Sequence, residues 1–237
     1  MNKAIVVGAT SGMGRELAKL LAVHGYTVGL TGRREHLLVE LQQEIAAPSY
    51  IRSFDIAAPE AMNLLADMIQ EMNGVDLVVI SAGTGVFNPD LDFAGELETI
   101  AVNVTGFAAM ANVAFKHFVK RGAGHLVGIS SIAALRGSGN APAYGASKAF
   151  VSNYLEGLRQ KASKLKLPIT ITDVQPGFVD TAMTKGQKGL FWVASPVKAA
   201  REIYGAIAGR KNHVYITRRW GLIAWLLKNL PDRLVKL

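Results

Sequence analysis

The chain contains no cysteine, so it has neither disulfides nor thiolate metal sites, and this permits a cytoplasmic location. Its five histidines, His24, His36, His117, His125 and His213, are scattered without metal-ligand spacing, so metal catalysis is not expected. No Pro/Ser-rich linker, low-complexity tract or repeat divides the sequence, which argues for one domain. The first residues run straight into a strand-like segment, so a signal peptide is not expected. The basic residues are not interleaved with strand aromatics or a known reader motif, which argues against nucleic-acid binding.

What remains is 237 residues, half of them hydrophobic, enough for one large α/β domain with a sizeable core. Short apolar runs at 3–7, 26–31, 76–80, 125–130, 168–174 and 213–217 alternate with helical stretches. That pattern predicts a parallel sheet covered on both faces.

Two motifs carry chemistry. Tyr144 precedes Lys148 by four residues, and on a helix this spacing puts both side chains on one face. A nearby ammonium would favour the phenolate and pull the tyrosine below its usual value of about 10. Such a phenol can give a proton to a carbonyl oxygen or take one from an alcohol. At the other end, Gly8-Ala-Thr-Ser-Gly12-Met-Gly14 lies between an apolar strand and an amphipathic helix. Glycines there permit a tight turn whose N–H groups approach a pyrophosphate at the helix N-terminus. The second strand ends at Gly32-Arg33-Arg34, where a site selective for NAD would carry an acid for the ribose hydroxyl. Guanidinium groups suit a 2′-phosphate, so NADP(H) is favoured, with NAD(H) the alternative. Arg15, just after Gly14, adds to this charge, and Arg33 is the preferred phosphate contact. The competing reading has Arg33 and Arg34 simply beginning a solvated helix.

With Gly8, Gly12, Gly14, Ser131, Tyr144 and Lys148 all in place, the chain resembles the short-chain dehydrogenase/reductase family from Lys3 to about Thr217. The resemblance implies an α/β fold: a single Rossmann-type, doubly wound parallel sheet with helices on both faces. It further implies a cofactor site of Gly8, Thr10, Ser11, Gly12, Met13, Gly14, Arg33 and Arg34 at the glycine turn and second strand. Asp55 and Ile56 would lie beside the adenine. Ser81, Ala82 and Gly83 match the strand-end Asn-Asn-Ala-Gly motif, with Ser81 replacing an Asn, and Val7 stands where the family often has Thr. Pro176, Gly177, Val179 and Thr181 match the segment flanking the nicotinamide. Tyr144 is the expected general acid/base and Lys148 the residue that tunes it and binds the ribose. Ser131 would bond the substrate oxygen, and Asn103 would hold a water linking Lys148 to solvent. Ser130 competes with Ser131, but strand alternation points it the other way.

The sequence divides into residues 1–217, the dinucleotide-binding and catalytic part, and an apolar, basic tail, 218–237. From Arg210 onward there are seven Lys/Arg and one acid, so this stretch holds +6 of the formal +8 charge. Within it, residues 220–227 form a run too short to span a bilayer, which takes about 20 residues. The run is expected to pack on the substrate pocket or a second subunit, or to lie on a membrane surface. Residues 182–194 are expected to form a lid, with Met183, Leu190, Phe191 and Trp192 inside and Gly186 and Gly189 as hinges; the alternative is a packed loop. The segments 107–118 and 150–158 are amphipathic, suited to the core or to a homodimer or homotetramer interface.

The expected activity is NADP(H)-dependent interconversion of a hydrophobic ketone or aldehyde and its alcohol. The alternatives are a 3-oxoacyl-thioester reductase docking an acidic carrier, and a non-catalytic NADP(H) sensor. The expected location is cytoplasmic, with contact to a membrane surface through the tail the alternative to its packing on the domain or a second subunit.

Overall fold

The computed structural model describes residues 2–185 and 189–231. Seven parallel strands form one sheet in the order β3-β2-β1-β4-β5-β6-β7. The strands are β1 (Lys3–Val7), β2 (Thr27–Gly32), β3 (Ser49–Ser53), β4 (Leu77–Ile80), β5 (Gly124–Ile129), β6 (Ile169–Pro176) and β7 (His213–Ile216). The chain winds outward through β2 and β3, then returns past β1 to build the other half. The reversal between β1 and β4 opens a crevice at the strands' C-terminal ends, the usual ligand position in such sheets.

Each strand sends alternate side chains to opposite faces, and each face receives its own core. On one side Ile5 and Val7 join α3 (Ala61–Glu71), α5 (Phe107–Arg121) and α6 (Pro142–Lys164). On the other, Ala4 and Val6 meet α1 (Gly12–Val23), α2 (Glu35–Glu44) and α7 (Pro196–Ala208). Phe107, Met110, Ala114, Phe115 and Phe118 all face the core on the Ile5 side, which takes up the apolar stripe of α5. Helix α4 (Phe93–Ile100) runs into α5 through a π-helical turn, Ala101–Gly106, that carries Asn103. Strand β3 was not anticipated. Its residues are mostly half-buried and include two serines and an arginine, so neither a continuous apolar run nor a clean alternation announces it.

Candidate active site

The glycine turn is closed by backbone against backbone. Gly8 has φ of 91°, and a β-carbon on it would lie 2.5 Å from the Ala82 amide nitrogen. A β-carbon on Gly14 would lie 2.1 Å from the Gly8 carbonyl oxygen. Only hydrogen fits at either position, and the turn therefore presses the N-terminus of α1 against the end of β4. No acid occupies the first turn of α1, which leaves its positive end available to an anion. From here an open cleft runs past Thr10, Ser11, Arg34, Asp55, Ile56 and Ala82. Gly8, Arg33, Ser81 and Gly83 line it too. Thr181 approaches from across the crevice: a β-carbon on Gly12 would sit 3.3 Å from its methyl group.

The three arginines near this cleft divide differently from expectation. Arg34 Nη2 donates to Thr10 Oγ1 at 2.7 Å and to Ser11 Oγ at 2.9 Å, so its charge lies on the glycine turn. Arg33 instead faces Asp55 at 3.5 Å and Glu98 at 4.0 Å. Two acids therefore compete for the residue preferred from sequence. Arg15 turns away to Glu44, at 2.6 Å, and to the Leu37 carbonyl. No carboxylate takes the position beyond β2 that would receive a bare ribose hydroxyl. The closed glycine turn fits a dinucleotide pyrophosphate, and Arg34 sets a guanidinium beside it.

At the other end of the crevice, Ser131, Tyr144 and Lys148 converge. Ser131 leaves β5 and caps the 3-10 turn Ile132–Leu135, accepting from the Ala133 amide at 3.1 Å. Its hydroxyl also acts on the Tyr144 phenol, favouring the ionised form. Ser130 points elsewhere, to the buried Asp173 carboxylate and the Val174 carbonyl. Lys148 is buried, donates to the Ile129 carbonyl at 3.1 Å, and lies 5.8 Å from the Tyr144 ring centroid. Asn103 Nδ2 donates to the Thr84 carbonyl and to Ser147 Oγ, while its Oδ1 accepts from the Thr84 amide. Ser147 in turn donates to the Tyr144 carbonyl at 2.8 Å, so Asn103 braces the helical turn that presents the tyrosine. A β-carbon on Gly83 would come within 3.1 Å of Lys148 Nζ and 3.2 Å of Asn103 Oδ1. The strand-end glycine makes room for both.

One expectation takes the opposite sign. Burial raises the Tyr144 pKa, and the nearby Ser131 hydroxyl only partly offsets this. The Lys148 ammonium is aimed at a backbone carbonyl rather than at the phenol oxygen, which explains why it does not dominate. Burial likewise lowers Lys148 to about 8, with the Asp173 carboxylate acting against that shift. Asp173 was not anticipated: an acid within an apolar strand gives no sign from sequence that a lysine on a later-packed helix needs it. Ser147 was equally overlooked, although it lies inside the Tyr144–Lys148 motif.

A family model described as short chain dehydrogenase matches residues 2–189. The chain belongs to the short-chain dehydrogenase family. An uncharacterized oxidoreductase of Myxococcus xanthus is 37% identical over 187 residues, covering 76% of this chain and 73% of the relative. Another, from Mycobacterium tuberculosis, is 29% identical over 246 residues, 99% of this chain and 96% of its own. The fold is shared with a short-chain dehydrogenase from Sphingobium yanoikuyae solved in complex with NADPH, at a TM-score of 0.81 and 20% identity, covering 98% and 97% of the two chains. This dehydrogenase is therefore an oxidoreductase acting on CH–OH and C=O groups.

Beyond Ser131, Tyr144 and Lys148, the dehydrogenase packs a cluster of aromatic rings from Phe178, Phe191 and Trp220. Trp220, the first residue of α8 (Trp220–Asn229), is buried against Gly177: a β-carbon there would fall 2.0 Å from Trp220 Cε2. Phe178 meets the Trp220 ring edge-on at 5.3 Å and Phe191 stacks on it at 5.1 Å. Arg136, just past the 3-10 turn, donates to the Leu227 carbonyl at 2.6 Å and to the Leu230 carbonyl at 2.5 Å, closing the C-terminal end of α8. The helix thus bridges the loop that carries Ser131 and the segment after β6. The loop expected as a lid is closed at its base by backbone bonds between Phe178, Asp180 and Ala194. Met183, Phe191 and Trp192 remain more than a third exposed, so their apolar surface is only partly turned inward. Gly189 has φ of 78°, as a hinge glycine can, whereas Gly186 lies outside the described residues.

Proposed function

We propose that this dehydrogenase uses NADP(H) to interconvert a hydrophobic ketone or aldehyde and its alcohol. The observation that carries this reading is the buried Lys148 beside Tyr144, set against Gly83, which lines the same cleft as Arg34. Arg34 would take the 2′-phosphate, with Thr10, Ser11 and the turn amides on the pyrophosphate. Asp55 and Ile56 would border the adenine, and Pro176, Gly177, Val179 and Thr181 the nicotinamide, which when bound supplies or accepts hydride.

Tyr144 keeps its proton at neutral pH because burial disfavours the phenolate, so it is poised to donate to a carbonyl oxygen. Ser131 holds that oxygen in line and stabilises its developing charge. Lys148, with a value of about 8, is largely protonated at neutral pH and offers its ammonium beside the phenol and the ribose. The donors of the Asn103 amide are both engaged, so a relay water beside it would bond its remaining acceptor capacity or its main chain. Trp220, Phe178 and Phe191 give the neighbouring wall an apolar character suited to a lipophilic substrate.

The test is NADPH consumption, with NADH in parallel, against hydrophobic ketones, aldehydes and 3-oxoacyl thioesters. Tyr144→Phe is expected to lower turnover by about 10²–10⁴-fold while NADPH binding persists. Turnover of thioesters alone would instead identify the 3-oxoacyl reductase. Binding of NADPH without turnover of any carbonyl, or of any alcohol with NADP⁺, would overturn the catalytic reading in favour of a sensor.

A further inference from the structure

Helix α8 is inverted relative to an ordinary surface helix. Its inner side buries Trp220 and Ala224, yet its outer side presents Leu222, Trp225 and Leu226, the first two 61% exposed. A surface helix normally turns polar residues outward. Here apolar residues at i, i+3 and i+4 face solvent, bracketed by exposed Arg218 and Arg219 at one end and Lys228 at the other. Beside the helix, the exposed Trp192 carries the Arg219 guanidinium 4.9 Å above its ring, and Val193 adjoins it in the same loop.

We propose that this face docks on an anionic lipid surface, with Trp225 and Leu222 in the interfacial layer and Arg218, Arg219 and Lys228 at the headgroups. Tryptophan and leucine between basic residues are the composition of a helix lying in the interface. Ten residues rise about 15 Å, half the hydrocarbon core, so the helix lies on the bilayer and does not cross it. Charge decides between lipid and a second copy. Residues 218–231 carry Arg218, Arg219 and Lys228 and no acid, and a twofold contact would set that charge against itself, whereas an anionic leaflet neutralises it. A second apolar patch shows the contrast. Phe93, Leu97 and Phe87 are also exposed, but exposed Asp90, Asp92 and Glu98 lie within a few residues of them in the chain, and that stretch would be repelled by the same lipid.

The experiment is co-sedimentation of the full chain with phosphatidylcholine vesicles with and without phosphatidylglycerol. Binding is expected only when phosphatidylglycerol is present, and it should weaken as salt is added. Arg218→Glu with Lys228→Glu should reduce the partition coefficient by about tenfold or more. Leu222→Ser with Trp225→Ser should do the same, and neither pair touches the Trp220 packing that holds the helix down. Absence of sedimentation would overturn the proposal. So would binding indifferent to phosphatidylglycerol and to charge reversal. A fall in molecular mass at sedimentation equilibrium in the Leu222/Trp225 variant, with vesicle binding intact, would mark the face as a contact between copies and likewise overturn it.

Discussion

Arg33 and Arg34 are adjacent and carry the same charge, yet they face different partners. The turn out of β2 sends Arg34 over the glycine turn to Thr10 and Ser11 and leaves Arg33 between Asp55 and Glu98. A charge-assisted hydrogen bond contributes about 1.5–3 kcal/mol, or roughly 10–100-fold in affinity. Arg34→Ala is therefore expected to weaken NADPH binding by that factor and leave NADH almost unchanged, as read by fluorescence titration. An equal loss for both nucleotides would show that Arg34 holds the turn rather than a 2′-phosphate. The same dependence on partners governs Lys148: its amine meets the Ile129 carbonyl, and the Asp173 carboxylate opposes the downward pull of burial.

At the scale of elements, α8 is held by one ring and one guanidinium. Trp220 is sandwiched between Gly177, Phe178 and Phe191, and Arg136 closes the far end. Removing a buried tryptophan side chain costs about 3–5 kcal/mol. Trp220→Ala should accordingly lower the urea midpoint of unfolding and expose Arg218 and Arg219 to limited trypsin digestion. An unchanged midpoint together with an uncut tail would mean the helix contributes nothing to the domain. Sequence shows how such elements were or were not legible. The six strands expected are present with ends displaced by at most two residues, because continuous apolar runs are what a sheet buried on both faces demands. Strand β3, at the edge and only half-buried, makes no such demand on its residues. The π-helical turn at Asn103 was also invisible, since it is the side-chain bonds to Thr84 and Ser147 that give that turn its role.

For the whole molecule, acid is the expected point of weakness. His125 is buried near the start of the interior strand β5, its Nε2 2.8 Å from Thr172 Oγ1, and burial pushes its pKa from 6.5 down to about 4. The unfolded chain binds a proton there at a higher pH than the folded one. The stabilisation is complete above pH 6.5 and is lost as pH falls toward 4, by about 3 kcal/mol at most. Burial lowers His117 and His213 as well, with the same sign. Urea unfolding at several pH values should show stability falling across this window, and more shallowly for His125→Asn. Parallel pH profiles in the variant and the parent would remove His125 from the account.

Sequence alone determined the features that are local along the chain. The strands are short apolar runs, the glycine turn is seven consecutive residues, and Tyr144 and Lys148 share a helix face through an i,i+4 spacing. Each needs only backbone geometry over a few residues. Tertiary structure decided whatever required residues far apart to meet: Asp173 acting on Lys148, Asn103 on Ser147, Trp220 on Gly177, and Arg34 rather than Arg33 on the glycine turn. It also set the sign of the Tyr144 shift, because the cost of desolvating a phenolate depends on how deeply the fold buries it, and spacing carries no measure of depth.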